Sequence, residues 1–395
     1  MRLWWATNTK RKSIQVRLVD RVLNEYSYSG TAITWDREGN EQNIHVSGRI
    51  VIDVDSFNRF APYQRRYLSN LTEKDVEMLY RHNEKYDSKD EKSGYGQTSA
   101  LIKPSESRRI KLTPYHLMLC RSRTRGYSIK LKMWLDFFVE LVTEIEWSKK
   151  AFESLVLPED QKEMILSFTE SQVQNHDAFD DVISGKGRGI IMLLSGPPGV
   201  GKTLTAEAVA EHMHCPLHSI TSGDLGSEAY QVEAGLSKTL ELVARWKAIL
   251  LIDECDVFLE ARSAHDLKRN RVVSIFLRTL EYYEGIMFMT TNRVDNMDAA
   301  FQSRIHVSLE YPDLTTDSRR QVWQSFLKAS PERYNLSDKD LDELSLIQLN
   351  GRQIKNLLKA ANLLALRKKQ PLNMAILGTV LATEKRRPEM HALNA

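Results

Sequence analysis

One eight-residue stretch restricts the fold of this chain more than anything around it: GPPGVGKT, from Gly196 to Thr203. It follows an apolar run, Gly189 to Leu194, and precedes a helical pattern with Ala206, Val209, Ala210 and Met213 at three- and four-residue spacing. A strand entering a glycine-rich turn that opens into a helix aims backbone N–H groups and a helix N-terminus at one point, which suits a phosphate. In that setting Lys202 reaches the outer phosphates of a nucleotide and the Thr203 hydroxyl faces Mg²⁺. The expected phosphate contacts are Gly196, Pro197, Pro198, Gly199, Val200, Gly201, Lys202 and Thr203, with Leu204 behind them. By chance alone such a motif arises in roughly one chain in a hundred of this length, and the flanking strand and helix make it rarer.

The next chemically loaded stretch is AILLIDECD, which ends an apolar run in Asp253 and Glu254. In a parallel sheet ligands bind at the carboxyl ends of the strands, so both carboxylates fall at the ligand end. Asp253 then joins Thr203 as a Mg²⁺ ligand, and Glu254 is placed to polarise an attacking water, which favours hydrolysis over transfer to a substrate. A strand ended by two solvated acids is the plainer alternative. Asn292, ending MFMTTN, and Arg304, in FQSRIHV, have the chemistry to orient water and to neutralise charge on a γ-phosphate. A turn-capping amide and a solvated arginine are their alternatives. Arg352 opens a helix that Asn350 is suited to cap, and an exposed helix-start arginine is the other reading there.

Apolar runs and helical periods alternate from Gly189 onward, the pattern of an α/β fold with a parallel sheet covered by helices. The strands read Ile190 to Leu194, Leu217 to Thr221, Ala248 to Ile252, Ile286 to Thr290 and Ile305 to Leu309. One intervening helix carries Val272, Ile275, Phe276, Thr279, Leu280 and Tyr283. After Pro312 the chain reads as all-helical, the clearest helix carrying Ile354, Leu357, Leu358, Ala361 and Leu364. Upstream, Ile14, Val16 and Leu18, then Ile44 and Val46, then Ile50, Ile52 and Val54 keep period two and predict a small β-rich region. The polar stretch His82 to Ser99 predicts an exposed loop, and Pro158, as first helical residue before Glu159, Asp160, Met164, Ile165 and Phe168, predicts a helix. Three domains are expected: 1–149 β-rich, 150–312 α/β core and 313–395 helical lid.

Charge separates these regions. Residues 1–150 hold 27 basic and 19 acidic side chains and the remainder 28 and 33, so a net +3 conceals a basic first domain. From Lys103 to Lys132 nine basic residues face one acidic residue and interleave with Tyr115, His116 and Tyr127. A nucleic-acid footprint is one reading of this run, and the solvated face of a β domain is the favoured one. No window approaches the ~20 apolar residues of a membrane span. The start lacks the plan of a secretory signal, and its basic character leaves mitochondrial import as a weaker expectation. Cys120, Cys215 and Cys255, scattered and odd in number, fit neither a disulfide framework nor a zinc site. A reducing intracellular setting, cytoplasm or nucleus, is expected.

Taken in order and spacing, Gly196 to Thr203, Ile249 to Glu254, Thr290 to Arg293, Ser303 to His306 and Asn350 to Asn356 resemble the AAA+ ATPases over residues 150–385. The wording of SFNRFAP, LIDECDVFLEARS and EYYEGIMFMTTNRVDNMDAAFQSRIHVSLEYPDL is similar to large fungal AAA+ proteins in which another domain precedes the ATPase, which makes an internal start an expectation. The resemblance implies ATP and Mg²⁺ as ligands, with Lys202 and Thr203 as Walker A, Asp253 and Glu254 as Walker B and Asn292 as sensor 1. It implies Arg304 as an arginine finger acting on a neighbouring subunit, hence a homo-oligomeric ring, most often a hexamer. It implies Arg352 as sensor 2, and remodelling of a protein or nucleic-acid client as the output. A nucleotide-set scaffold with little turnover is the rival class. Two features depart from the family's best-known unfolding subgroup: the finger segment lacks a paired arginine, and Arg352 stands where that subgroup has a small residue. The segment Gly226 to Gln231, at the place of a pore loop, offers Tyr230 as its one aromatic, with helix-start packing as the favoured role. Phe179 to Ser184 is the expected adenine-pocket segment.

Overall fold

The computed structural model describes residues 24–36, 38–61, 122–148, 150–174, 189–226, 228–262, 266–293, 297–328 and 334–384. Ile14 to Leu18, His82 to Ser99, Phe179 to Ser184, Cys120 and the basic run up to Arg121 lie outside them. The chain divides into two compact units, Met1–Ile145 and Glu146–Ala395.

The first unit is an antiparallel sheet of β1 (Asn24–Trp35), β2 (Glu41–Ile52), β3 (Arg123–Ser128), β4 (Met133–Phe138) and β5 (Val142–Thr143). The order is β2-β3-β4-β1-β5, and β1 also pairs with β2 along its whole length, so the sheet closes on itself. Alternation buries Tyr26, Tyr28, Ala32, Val46, Ile50, Ile52, Leu135 and Phe137 on one face. The period-two pattern stops earlier than the sequence predicts. Val54 begins α1 (Val54–Phe60), because Asp53 accepts a hydrogen bond from the Ser56 N–H at 2.9 Å and caps a helix there.

The second unit is built on a parallel sheet of β6 (Ile190–Ser195), β7 (Leu217–Thr221), β8 (Ile249–Asp253), β9 (Ile286–Thr291) and β10 (Val307–Glu310) in the order β10-β6-β9-β8-β7. The chain passes from β6 to β7 across two strands not yet formed, and that crossing leaves a crevice at the carboxyl ends. Met192, Leu194, Leu251, Phe288 and Leu309 pack with Ala206 and Val209 of α4 (Lys202–Met213) and with Phe152 of α2 (Lys150–Glu153) and Ile165 of α3 (Glu159–Gln174). Pro158 stands one residue before α3 rather than inside it. Of its three apolar markers only Ile165 is buried, Met164 and Phe168 being exposed.

The remaining core helices are α5 (Ser222–Leu225), α6 (Ala229–Trp246), α7 (Asp256–Leu259), α8 (Leu267–Glu281) and α9 (Ala299–Gln302). Phe258 of α7 stacks on Phe276 of α8 with ring centroids 4.9 Å apart, and Phe276 meets Phe301 of α9 at 5.9 Å. The strand ends shift slightly from expectation: Asp253 belongs to β8, and Ile305 and His306 precede β10. Tyr283 is buried beyond the end of α8.

Beyond the sheet, α10 (Thr316–Lys328), α11 (Asp338–Leu346), α12 (Gly351–Lys368) and α13 (Met374–Glu384) enclose a second core around Trp323, Leu344, Ile354, Leu357, Leu358, Ala361 and Leu377. A lone bridge between Tyr334 and Leu372 is the β-type pairing in this helical part among the described residues.

Candidate nucleotide site

The turn after β6 takes its shape from glycines at positive φ: Gly196 at 136°, Gly199 at 81° and Gly201 at 114°. Gly196 also passes so close to the Tyr311 backbone that a Cβ would collide with it. Gly201 caps α4, so Lys202 is the first helical residue, buried at 7% exposure. Its ammonium donates to the Gly196 and Pro197 carbonyls and to Asn292 Oδ1, each at 2.8 Å. Burial pushes the Lys202 pKa below the ordinary lysine value, and the charges of Asp253 and Asp256 oppose that shift.

Thr203 donates to Asp253, 3.1 Å to Oδ1 and 3.3 Å to Oδ2. A hydroxyl and a carboxylate side by side form an all-oxygen donor pair, the set that suits Mg²⁺. Thr290, at the end of β9, donates to Asp253 Oδ1 and accepts from the Glu254 N–H at 3.0 Å. Glu254 takes a left-handed turn at φ 54°, which carries its carboxyl away from the strand line. Lys202, Thr203, Asp253, Glu254 and Asn292 thus converge at the carboxyl ends of β6, β8 and β9.

Arg304 stands apart from this group. It follows α9 and bonds the Ala300 carbonyl at 2.9 Å and Glu281 at 3.7 Å. Arg352 is exposed in the first turn of α12, and its charge bears on Lys202. Asn350 caps that helix as expected, in a reciprocal pair with Gln353, 2.8 Å in each direction. The helix start also touches the phosphate-type loop: the Gly351 N–H donates to the Gly199 carbonyl at 2.9 Å, and a Cβ on Gly199 would sit 2.7 Å from Asn350 Cγ. Asp256 and the two threonines of TTN belong to the site although the sequence reading passed over them. The acid two residues after Glu254 reads as an ordinary helix-start residue, and a threonine hydroxyl carries no signal of what it will bond.

Two sequence readings change. Tyr230 is 70% exposed at the start of α6, so it is not a packing residue. In the first unit the described part of the basic run divides: Lys130 and Lys132 are exposed, in keeping with a solvated face, whereas Arg125 is buried, 3.7 Å from Asp136, 2.6 Å from Asn58 Oδ1 and over the Phe57 ring. Arg123 pairs with Glu41 at 3.4 Å and lies over Phe138.

A strand, a glycine turn, a buried lysine and paired carboxylates on a parallel sheet define a P-loop nucleotide-binding module. Residues 192–313 match the family model described as "ATPase family associated with various cellular activities (AAA)", and this stretch is a domain of that type. The chain is 26% identical over 276 residues to the 26S proteasome regulatory subunit 8 homolog B of Arabidopsis thaliana, covering 66% of this chain and 64% of that one. Over 253 residues it is 28% identical to the 26S proteasome regulatory subunit 8 homolog of Schizosaccharomyces pombe, 60% and 61% of the two chains. Over 227 residues it is 27% identical to the homolog of Encephalitozoon cuniculi, 54% and 56%. The chain therefore spans less than two thirds of the length of these relatives. Among the described residues no helix is long and apolar enough to cross a membrane.

Proposed function

We propose that this chain binds ATP with Mg²⁺ and hydrolyses it as one subunit of an oligomeric ring, most simply a hexamer, that remodels a protein client. The observation that carries the reading is the meeting of Lys202, Thr203, Asp253, Glu254 and Asn292 at three neighbouring strand ends. Gly196 to Leu204 wrap the phosphates, and Lys202 exchanges its carbonyl partners for phosphate oxygens. Thr203 and Asp253 would hold Mg²⁺, which supplies Lewis-acid polarisation of the phosphates when bound. Glu254 accepts the proton of the attacking water, and Asn292 orients that water and Lys202 together.

Arg304 acts on the nucleotide of the adjoining subunit, a role supported by its distance in bonding from the cluster around Lys202 in its own chain. Arg352 reaches the nucleotide in cis from the helix start that already touches Gly199. The core at 150–312, the lid at 313–395 and the β-rich 1–149 act as separate domains. The relatives' names, regulatory subunits of the 26S proteasome, support assembly with other subunits, a protein client and a place in cytoplasm or nucleus.

The test is Mg²⁺-dependent ATP turnover against protein concentration, for the natural chain and Arg304→Ala, with the mass measured with and without ATP. Specific activity rising with concentration and collapsing in a variant that still binds ATP is the expected result. Flat, arginine-independent activity sinks the shared site, and tight ATP binding without turnover moves the chain to the class of nucleotide-set scaffolds.

A further inference from the structure

Asp256 has no part in the reaction as proposed above, yet its carboxylate is turned back across the end of β9. Its Oδ1 accepts the Asn292 backbone N–H at 3.1 Å and the Thr291 hydroxyl. A hydroxyl has one proton, so with Asp256 as acceptor Thr291 Oγ1 takes the Arg293 N–H, 3.0 Å away. One carboxylate oxygen therefore fixes the three residues at which β9 leaves the sheet. The anchor is itself rigid. Cys255, immediately before Asp256, donates its N–H to the Thr290 carbonyl at 2.9 Å and is fully buried, and Phe258, one turn on, is locked against Phe276.

We infer that Asp256 is a positioning residue, a clamp that holds Asn292 so that its Oδ1 meets the Lys202 ammonium. Asn292 directly follows the last residue of β9; with its backbone N–H tied to Asp256 at the start of α7, the amide is directed to Lys202 at 2.8 Å. The clamp also links the segment bearing Glu254 to the segment bearing Asn292, so a shift of one is felt by the other. Its catalytic consequence rests on the ATPase reading, whereas the clamp itself does not. A misplacement of about 1 Å at such a group costs on the order of 100-fold in rate.

The experiment compares the full natural chain with Asp256→Ala, Asp256→Asn, Thr291→Val and Thr291→Ser by amide hydrogen exchange across residues 286–293, by ATP turnover and by affinity for a non-hydrolysable ATP analogue. Asparagine keeps an oxygen acceptor and serine keeps a hydroxyl, so both serve as rescues. Expected are faster exchange at Asn292 and a kcat about 10- to 100-fold lower in Asp256→Ala, analogue affinity within about threefold, and recovery of both in Asp256→Asn. Thr291→Val falls between, and Thr291→Ser matches the natural chain. Exchange and kcat in Asp256→Ala within twofold of the natural chain overturn the clamp. Equal loss of kcat in Asp256→Asn with exchange preserved also overturns it, since charge and not position would then be at work. A natural chain that turns over no ATP, with the exchange result intact, upholds the clamp and removes the ATPase reading instead.

Discussion

Both sheets bury a cation, and they treat it in opposite ways. In the closed antiparallel sheet Arg125 is neutralised where it stands, by Asp136, with Asn58 and Phe57 completing its surroundings. In the parallel sheet Lys202 is just as buried, but its partners are two carbonyls and an amide, all neutral. The neighbouring carboxylates are occupied by hydroxyls: Asp253 by Thr203 and Thr290, Asp256 by Thr291. Positive and negative charge are held close without pairing. A buried ion pair is architecture that can be replaced by apolar packing, whereas an unpaired cation beside unpaired carboxylates is a cost kept for a ligand.

The sharpest way to break the contrast is Lys202→Ala. It removes the charge kept for phosphate, and ATP turnover should fall about 10³-fold with analogue binding lost, while thermal unfolding of both units stays in place. Arg125→Ala should do the reverse: about 3 kcal/mol lost from the first unit by denaturant titration, because the buried Asp136 carboxylate loses the guanidinium beside it, with turnover unchanged. Turnover lost in Arg125→Ala, with the first unit still stable, would dissolve the distinction. Glu254→Gln comes next, with ATP still bound and kcat lowered about 100-fold; an unchanged kcat takes Glu254 out of the chemistry.

The smallest effect concerns a pair in the same unit as the site in which a buried carboxylate meets a half-exposed guanidinium. Hydrogen bonding from Arg262 holds the Asp298 carboxyl below its usual range, at the cap of α9. Because the folded value is the lower one, this stabilisation is present at neutral pH and is lost as the pH falls through the carboxylate range. Asp298→Asn should flatten that part of the acid-unfolding curve by about 0.5 kcal/mol, small because Arg262 is 47% exposed. A larger slope change would mean that the burial of Asp298, and not the exposure of Arg262, sets the strength of the pair.

What the sequence made legible follows from how far each signal reaches along the chain. The loop, the strand cores and the carboxylates of IDE could be read because an apolar run, a glycine spacing and a strand end are local. Arg125 looked like part of a basic face because Asp136, its partner, lies on the next strand and only sheet register brings them opposite. Val54 continued an alternation that the Asp53 cap had already ended. Asp256 was invisible for a related reason: its value lies in the Asn292 N–H, 36 residues away. Tyr230 was assigned to packing by residue type, and type does not tell which way a helix start faces.

One contact limits how this chain can be redesigned. Gly199, at φ 81°, has no room for a Cβ against Asn350, and its carbonyl carries the Gly351 N–H. The two segments are therefore a single unit of substitution, although about 150 positions separate them. A library that randomises the loop alone should return glycine at 199 almost without exception. A chimera that imports another lid must bring its own matched pair, or keep Asn350 and Gly351 at the seam.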